Sequence, residues 1–246
     1  MAAQQPFLHI LTLGSMAGLA TTAGAILVMY LGKPKENVLA FLLAAAAGVM
    51  LAVVAVDLLP AALDLGPAWQ LVAGLTLGAA SMVGAMKLLH RRESSANSRR
   101  QRLKNTGILI SMGIALHDIP EGMAIAVGHE AAGQLGGLIA LAIALHNLPE
   151  GMATAAPLKM AGIRKVKVIL LSLVITLFTP LGSLLGLAAL TVVEGTLTLF
   201  LGLAAGAMSL LVFHELLPIS RERHPNWSRL GVAVGFVSFS LLSLTL

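Results

Sequence analysis

Two short runs of this chain carry residues able to do chemistry. Ala115-Leu116-His117-Asp118-Ile119-Pro120-Glu121-Gly122-Met123-Ala124 and Ala144-Leu145-His146-Asn147-Leu148-Pro149-Glu150-Gly151-Met152-Ala153 lie 29 residues apart and agree at eight of ten positions. Residues three and four apart share one face of a helix. His117, Asp118 and Glu121 therefore turn an imidazole and two carboxylates to one side, and His146, Asn147 and Glu150 repeat the arrangement with an amide in the middle. Imidazole with carboxylate suits Zn²⁺, Fe²⁺, Mn²⁺, Co²⁺ or Cd²⁺ and disfavours Cu⁺. The chain has no cysteine, so thiolate sites and disulfides are excluded. The order His-Asp-x-x-Glu is not the His-Glu-x-x-His of common zinc proteases. Three uses remain: passage of a divalent metal ion, an intramembrane hydrolase working through metal-bound water, and a proton-coupled carrier of another solute.

The elements that position these groups follow from composition. Of 246 residues, 57% are hydrophobic and 11% charged, against roughly a quarter charged in soluble domains. Too few polar side chains remain to cover a water-facing surface, so the chain reads as an all-α polytopic membrane protein. Eight stretches offer the about 20 apolar residues that a spanning helix needs: 7–31, 37–63, 67–89, 106–128, 133–157, 166–190, 195–218 and 229–246. They form one transmembrane domain, with a solvated basic loop over 90–105. Met1 to Pro6 has no basic run, so the first helix is expected to stay in the mature protein.

All 16 lysines and arginines fall around the odd-numbered connections. Lys33 and Lys35 follow span 1, the run from Lys87 to Lys104 surrounds the third connection, Lys159 to Lys167 follow span 5, and Arg221, Arg223 and Arg229 follow span 7. By the positive-inside rule these connections are cytoplasmic and both termini face outward. The net charge of +5 thus orients the protein and implies no nucleic-acid partner; its surroundings are the lipid bilayer. Small residues on many faces permit a homodimer.

His117 lies about 12 residues into span 4 from one side and His146 about 13 into span 5 from the other, so both are about 18–20 Å deep in a core of ~30 Å. A central Asp costs about 2.5–3.5 kcal/mol to insert. No Lys or Arg occurs between Lys104 and Lys159 to neutralise these acids. A bound cation is the simplest counter-charge, with protonation the alternative in the empty state, so metal binding releases protons. Pro120 and Pro149 free the carbonyls of Leu116 and Leu145, a break tolerated where backbone lines a cavity. Gly122 and Gly151 allow close approach of a helix or a ligand.

A second repeat pairs residues 46–60, AAGVMLAVVAVDLLP, with residues 204–218, AAGAMSLLVFHELLP, identical at eight of fifteen positions and 158 residues apart. These segments lie on spans 2 and 7, which cross in opposite directions. Spans 1–3 and 6–8 then form an inverted repeat around a central 4–5 pair, an organisation typical of secondary transporters. Asp57 falls near the outer mouth, where it would gather ions; His214 and Glu215 fall near the inner mouth, where they would receive them. His9, Asp64, His129, Glu130 and Glu194 read as solvated outer ends, with His129-Glu130 a weak capture site. The eleven methionines read as packing fillers.

The twin His-[Asp/Asn]-x-Pro-Glu-Gly motif and the Ala-Ala-Gly-Ala-Met…His-Glu-Leu-Leu-Pro stretch of span 7 resemble the ZIP (Zrt/Irt-like protein) metal transporters, in particular their prokaryotic GufA-like branch. The resemblance covers all eight spans. It implies a 3+2+3 bundle in a bacterial inner (cell) membrane, moving zinc or a related divalent ion toward the cytoplasm. It also implies transport-site ligands at His117, Asp118, Glu121, His146, Asn147 and Glu150, an exit pair at His214 and Glu215, and an entrance acid at Asp57. The chain departs from the family pattern at Thr179, where relatives often carry Glu, and at Ala61, where they often carry Glu after Pro60. The connection after span 3 lacks the His-rich tract of many relatives. The expected site is one well-formed metal position between His117, Glu121, His146 and Glu150, with a weaker second one dependent on Asp118 and Asn147.

Overall fold

The computed structural model describes residues 4–30, 35–90, 98–131, 133–192 and 197–244. Lys33, Arg91, Arg92 and Glu194, which the sequence reading placed, lie outside them. Helices α1 (Gln4–Tyr30), α2 (Glu36–Ala52), α3 (Leu59–Leu65), α4 (Ala68–His90), α5 (Arg99–Ala131), α6 (Gly133–Met160), α7 (Lys165–Thr176), α8 (Phe178–Val192), α9 (Leu197–Leu211), α10 (Leu217–Arg223) and α11 (Pro225–Ser243) follow the chain in that order. No strand occurs among the described residues. The protein is an all-α polytopic membrane protein. Among the described residues, six helical rods are long and apolar enough to cross a bilayer: Phe7–Tyr30, Glu36–Leu65, Arg99–Glu130, Gly136–Met160, Lys165–Ala188 and Thr198–Arg223. Ala68–Gly84 is a shorter apolar helix.

Three details depart from a plain reading of eight rods. The second half of the run expected to be a basic loop is helical, because α5 begins at Arg99. Its residues are good helix formers, Ser98 Oγ accepts from the Gln101 N–H at 3.3 Å in the manner of a cap, and Leu103 is buried. Spans 2 and 7 each contain a π-helical turn, Val53–Leu58 and Val212–Leu216. The cause is the proline that follows each turn. Pro60 and Pro218 have no N–H and their rings press on the carbonyl four residues back. The helix widens instead, and the N–H groups of Leu59 and Leu217 reach five residues back to the Val54 and Val212 carbonyls. Such turns frequently mark functional sites; these two carry Asp57, and His214 with Glu215. Span 6 is divided at Leu177 into α7 and α8.

The helices pack as the inverted repeat requires. α1 lies along α6 as α8 lies along α5, and α2 lies along α11 as α9 lies along α4. The backbone approaches are symmetric too. A Cβ on Gly151 would strike the Thr21 carbonyl and one on Gly24 the Leu148 carbonyl; a Cβ on Gly122 would strike the Thr179 carbonyl and one on Gly182 the Ile119 carbonyl. Thr21 with Thr179, and Gly24 with Gly182, keep the offset of 158 seen in spans 2 and 7. Four glycines thus seat α5 and α6 against α8 and α1 at backbone contact, the small-residue packing that membrane helices favour.

The basic end is held by polar contacts. Lys159 Nζ donates to the carbonyls of Val28 at 2.6 Å and Met29 at 3.2 Å, satisfying the C-terminal carbonyls of α1. Lys165 sits over the Tyr30 ring at 3.9 Å. Glu36, at the start of α2, pairs with Arg99 on α5 and with Arg223 on α10.

Candidate metal site

α5 and α6 bring the two motifs together at the centre of the bundle. His117, Asp118, Glu121, His146, Asn147 and Glu150 are all buried, none more than 2% exposed. Glu121 is the hub. Its carboxylate lies 3.1 and 3.2 Å from His146 Nε2 and 3.4 Å from His117 Nδ1. The other nitrogen of the same ring, His117 Nε2, lies 3.5 Å from a Glu150 oxygen. Asp118 Oδ1 is 3.6 Å from His117 Nδ1. Donor atoms of His117, Asp118 and Glu121 fall within 4.8 Å of one another, and the 3.4 and 3.6 Å separations from His117 Nδ1 are ones that an ion with ligand distances of about 2.0–2.2 Å can bridge. The fourth member of the set, His146, is braced by Phe239 of α11 in an edge-on contact at 5.8 Å.

Hydrogen-bond satisfaction singles this cluster out. Both ring nitrogens of His117, both oxygens of Asp118, both oxygens of Glu150, His146 Nδ1 and Asn147 Oδ1 are buried without a hydrogen-bond partner. Buried polar atoms are nearly always paired, and several orphans in one volume are costly. A cation accepting lone pairs from imidazole and carboxylate removes that cost. With no Lys or Arg on either helix between Lys104 and Lys159, no protein cation there does so. The Asn147 amide differs from its counterpart: its Nδ2 donates to the Ala17 carbonyl of α1 at 3.1 Å.

A cavity of about 410 Å³ runs from this cluster along α5 and α6 toward the end opposite the basic connections. Glu121 and His146 form its floor; Asp57, Ala124, Gly128, Ile139, Leu201 and Ser243 are among its wall residues. Among the described residues, Asp57 and Glu121 are the carboxylates lining it, and Ser243 Oγ donates to Asp57 at 2.5 Å. Asp57 lies within the π turn Val53–Leu58. His214 is exposed and Glu215 half-buried on the matching turn of span 7, which packs against α5; His214 is outside the buried cluster.

Four threonines and a serine near the site went unread as site elements in the sequence. Thr21 and Thr154 each bury an unpartnered hydroxyl. Thr22 and Thr176 share a hydrogen bond at 2.8 Å, Thr176 donates to the Gly18 carbonyl at 2.8 Å, and Ser172 donates to Thr22 at 3.2 Å, tying α1 to α7. The signal for Thr21 was present: carrying the offset of 158 from Thr179 back into span 1 finds it.

A profile of the family described as ZIP Zinc transporter matches residues 78–243, a stretch that contains both motifs. Proteins called Zinc transporter ZupT from Salmonella heidelberg (strain SL476), Salmonella newport (strain SL254) and Salmonella typhimurium (strain LT2) are each 37% identical over 227 residues, which is 88% of this chain and 88% of theirs.

Proposed function

The chain belongs to the ZIP zinc transporter family, and on that premise we propose that zinc crosses the membrane through the buried cluster between α5 and α6. The protein is a divalent metal ion transporter and not an enzyme. Zinc is the ion its relatives are named for; the imidazole and carboxylate donors fit Fe²⁺, Mn²⁺, Co²⁺ and Cd²⁺ as further substrates.

The observation that carries the reading is the crowd of orphaned donor atoms on His117, Asp118, His146 and Glu150 at the closed end of a cavity. An ion entering from the mouth meets Asp57 first, the carboxylate in the apolar wall. It then trades water for Glu121 and His146 on the floor, and His117 and Glu150 complete the set. His117 bridges the two motifs, since Nδ1 faces Glu121 and Nε2 faces Glu150. The one metal position lies between His117, Glu121, His146 and Glu150, with Asp118 beside it. Thr179 offers a hydroxyl where relatives often bring a carboxylate, so a second ion is held weakly. Release proceeds past the π turn of His214 and Glu215 toward the basic end, which faces the cytoplasm, with both termini outside. The membrane is a bacterial inner membrane.

Zinc flux into proteoliposomes tests this. The wild type is expected to accumulate zinc down its gradient. The double variant His117→Ala with His146→Ala is expected to lose both flux and midplane binding. Undiminished flux in that variant would remove the assigned site.

A further inference from the structure

We propose that His9 and His129 form a second, peripheral site for a borderline divalent ion, at the mouth end of the bundle and separate from the buried cluster. The two residues are 120 positions apart, at the far ends of α1 and α5. The fold brings their rings to 5.0 Å between centroids, tilted by 45°. That spacing is what chelation asks for. A Zn–N bond of about 2.0–2.1 Å plus the distance from nitrogen to ring centre puts each centroid about 3.2 Å from the ion, and two rings at a tetrahedral angle are then about 5.2 Å apart.

The surroundings fit a site that loads from solvent. His9 is exposed and His129 half-buried. The backbone of His129 is fixed, because Gly136 of α6 lies against it closely enough that a Cβ there would sit 2.9 Å from the His129 Cα. Below the pair, Ala17, Ile125, Ala140 and Ile143 form an apolar plug, with Leu13 and Ile139 packed on it. Twelve residues of helix separate His129 from His117, about 18 Å at 1.5 Å per residue. An ion at the pair therefore shares no ligand with the buried cluster. Two imidazoles with water in the remaining positions select Zn²⁺, Cu²⁺, Ni²⁺ and Co²⁺ over Mg²⁺ and Ca²⁺.

Cu²⁺ is the probe, since imidazole nitrogens leave a resolved signature in pulsed electron paramagnetic resonance. The full-length protein carrying His117→Ala and His146→Ala, which silences the midplane imidazoles, is expected to bind Cu²⁺ with two coordinated imidazoles. Adding His9→Ala or His129→Ala should reduce the signature to one imidazole and weaken Cu²⁺ at least tenfold. Excess Zn²⁺ should displace Cu²⁺ from this midplane-silenced parent, and Mg²⁺ at the same concentration should not. Circular dichroism checks that each variant keeps its helical content; His9→Gln, at an exposed position, serves as the second form of the test. A spectrum without two imidazoles in the midplane-silenced protein, or one unchanged by His9→Ala and by His9→Gln, would show a ring contact only and overturn the proposal. The outcome is independent of zinc flux, so the transport reading stands or falls separately.

Discussion

The two motif copies have nearly the same sequence and different work. On α5, His117, Asp118 and Glu121 all converge on one small volume, and Glu121 touches imidazoles from both helices. On α6, His146 and Glu150 face the α5 residues Glu121 and His117. Asn147 spends its amide on the Ala17 carbonyl and acts as a strut to α1. The difference comes down to Asp against Asn, which have the same shape. An amide can donate to a backbone carbonyl and a carboxylate cannot. In the proposed site a duplicated motif therefore gives a symmetric frame and an asymmetric donor set: α5 offers an imidazole and two carboxylates, and α6 one imidazole, one carboxylate and an anchor.

Four variants probe that asymmetry, the largest effect first. Glu121→Gln keeps the shape and removes the charge facing both histidines; zinc flux should fall by more than about a hundredfold, beyond the cost of losing a supporting partner. Glu150→Gln, whose carboxylate comes within ion-pair distance of one histidine among the described residues, His117 at 3.5 Å, should lose about tenfold in the same assay. Equal losses at the two glutamates would mean that the copies are equivalent after all. Asn147→Asp should act on stability, because it sets a carboxylate against the Ala17 carbonyl inside the bundle; a cost of about 1–3 kcal/mol is expected, read as a lower midpoint of thermal unfolding in detergent. Ser243→Ala should be the mildest. It removes one neutral donor from Asp57 in the cavity wall, worth about 1 kcal/mol, and should change the zinc KM by less than about fivefold with maximal flux retained.

The frame holds a sharper test of symmetry. Gly122→Ala and Gly151→Ala place a methyl against the Thr179 and Thr21 carbonyls respectively. Overpacking of this kind costs about 1–3 kcal/mol. The two variants should lose similar amounts of thermal stability, although their neighbouring motifs differ in charge. A large disparity would show that the inverted repeat is not mechanically equivalent at its two seams.

Much of this was legible in the chain. The helical class follows from composition, and the converging residues follow from two motifs at matched depth, because helix periodicity alone puts His117 and Glu121 on one face. The repeat of spans 2 and 7 made them counterparts in an inverted repeat, and the structure adds that both carry a π turn. Pro60 and Pro218 could have kinked their helices, and only the backbone geometry shows that the turn before each is widened. The extension of α5 back to Arg99 was hidden by charge: a run of arginines reads as loop when a bilayer sets the boundaries, yet arginine is a good helix former once the helix is in water. The fate of Asn147 was illegible for another reason. Its partner is a carbonyl of α1, and nothing local to the motif names it. The pairing of His9 with His129 is likewise a product of tertiary packing.

The central claim is that one ion sits between the two copies, nearer the α5 set. Anomalous diffraction at the zinc edge, from crystals of zinc-loaded protein, measures this directly. The account predicts a peak at the midplane with ligand distances of about 2.0–2.2 Å to His117 and Glu121 and further donors from His146 and Glu150. A peak centred on Asp118 and Asn147 instead, or no midplane peak in a protein that still transports zinc, would contradict it.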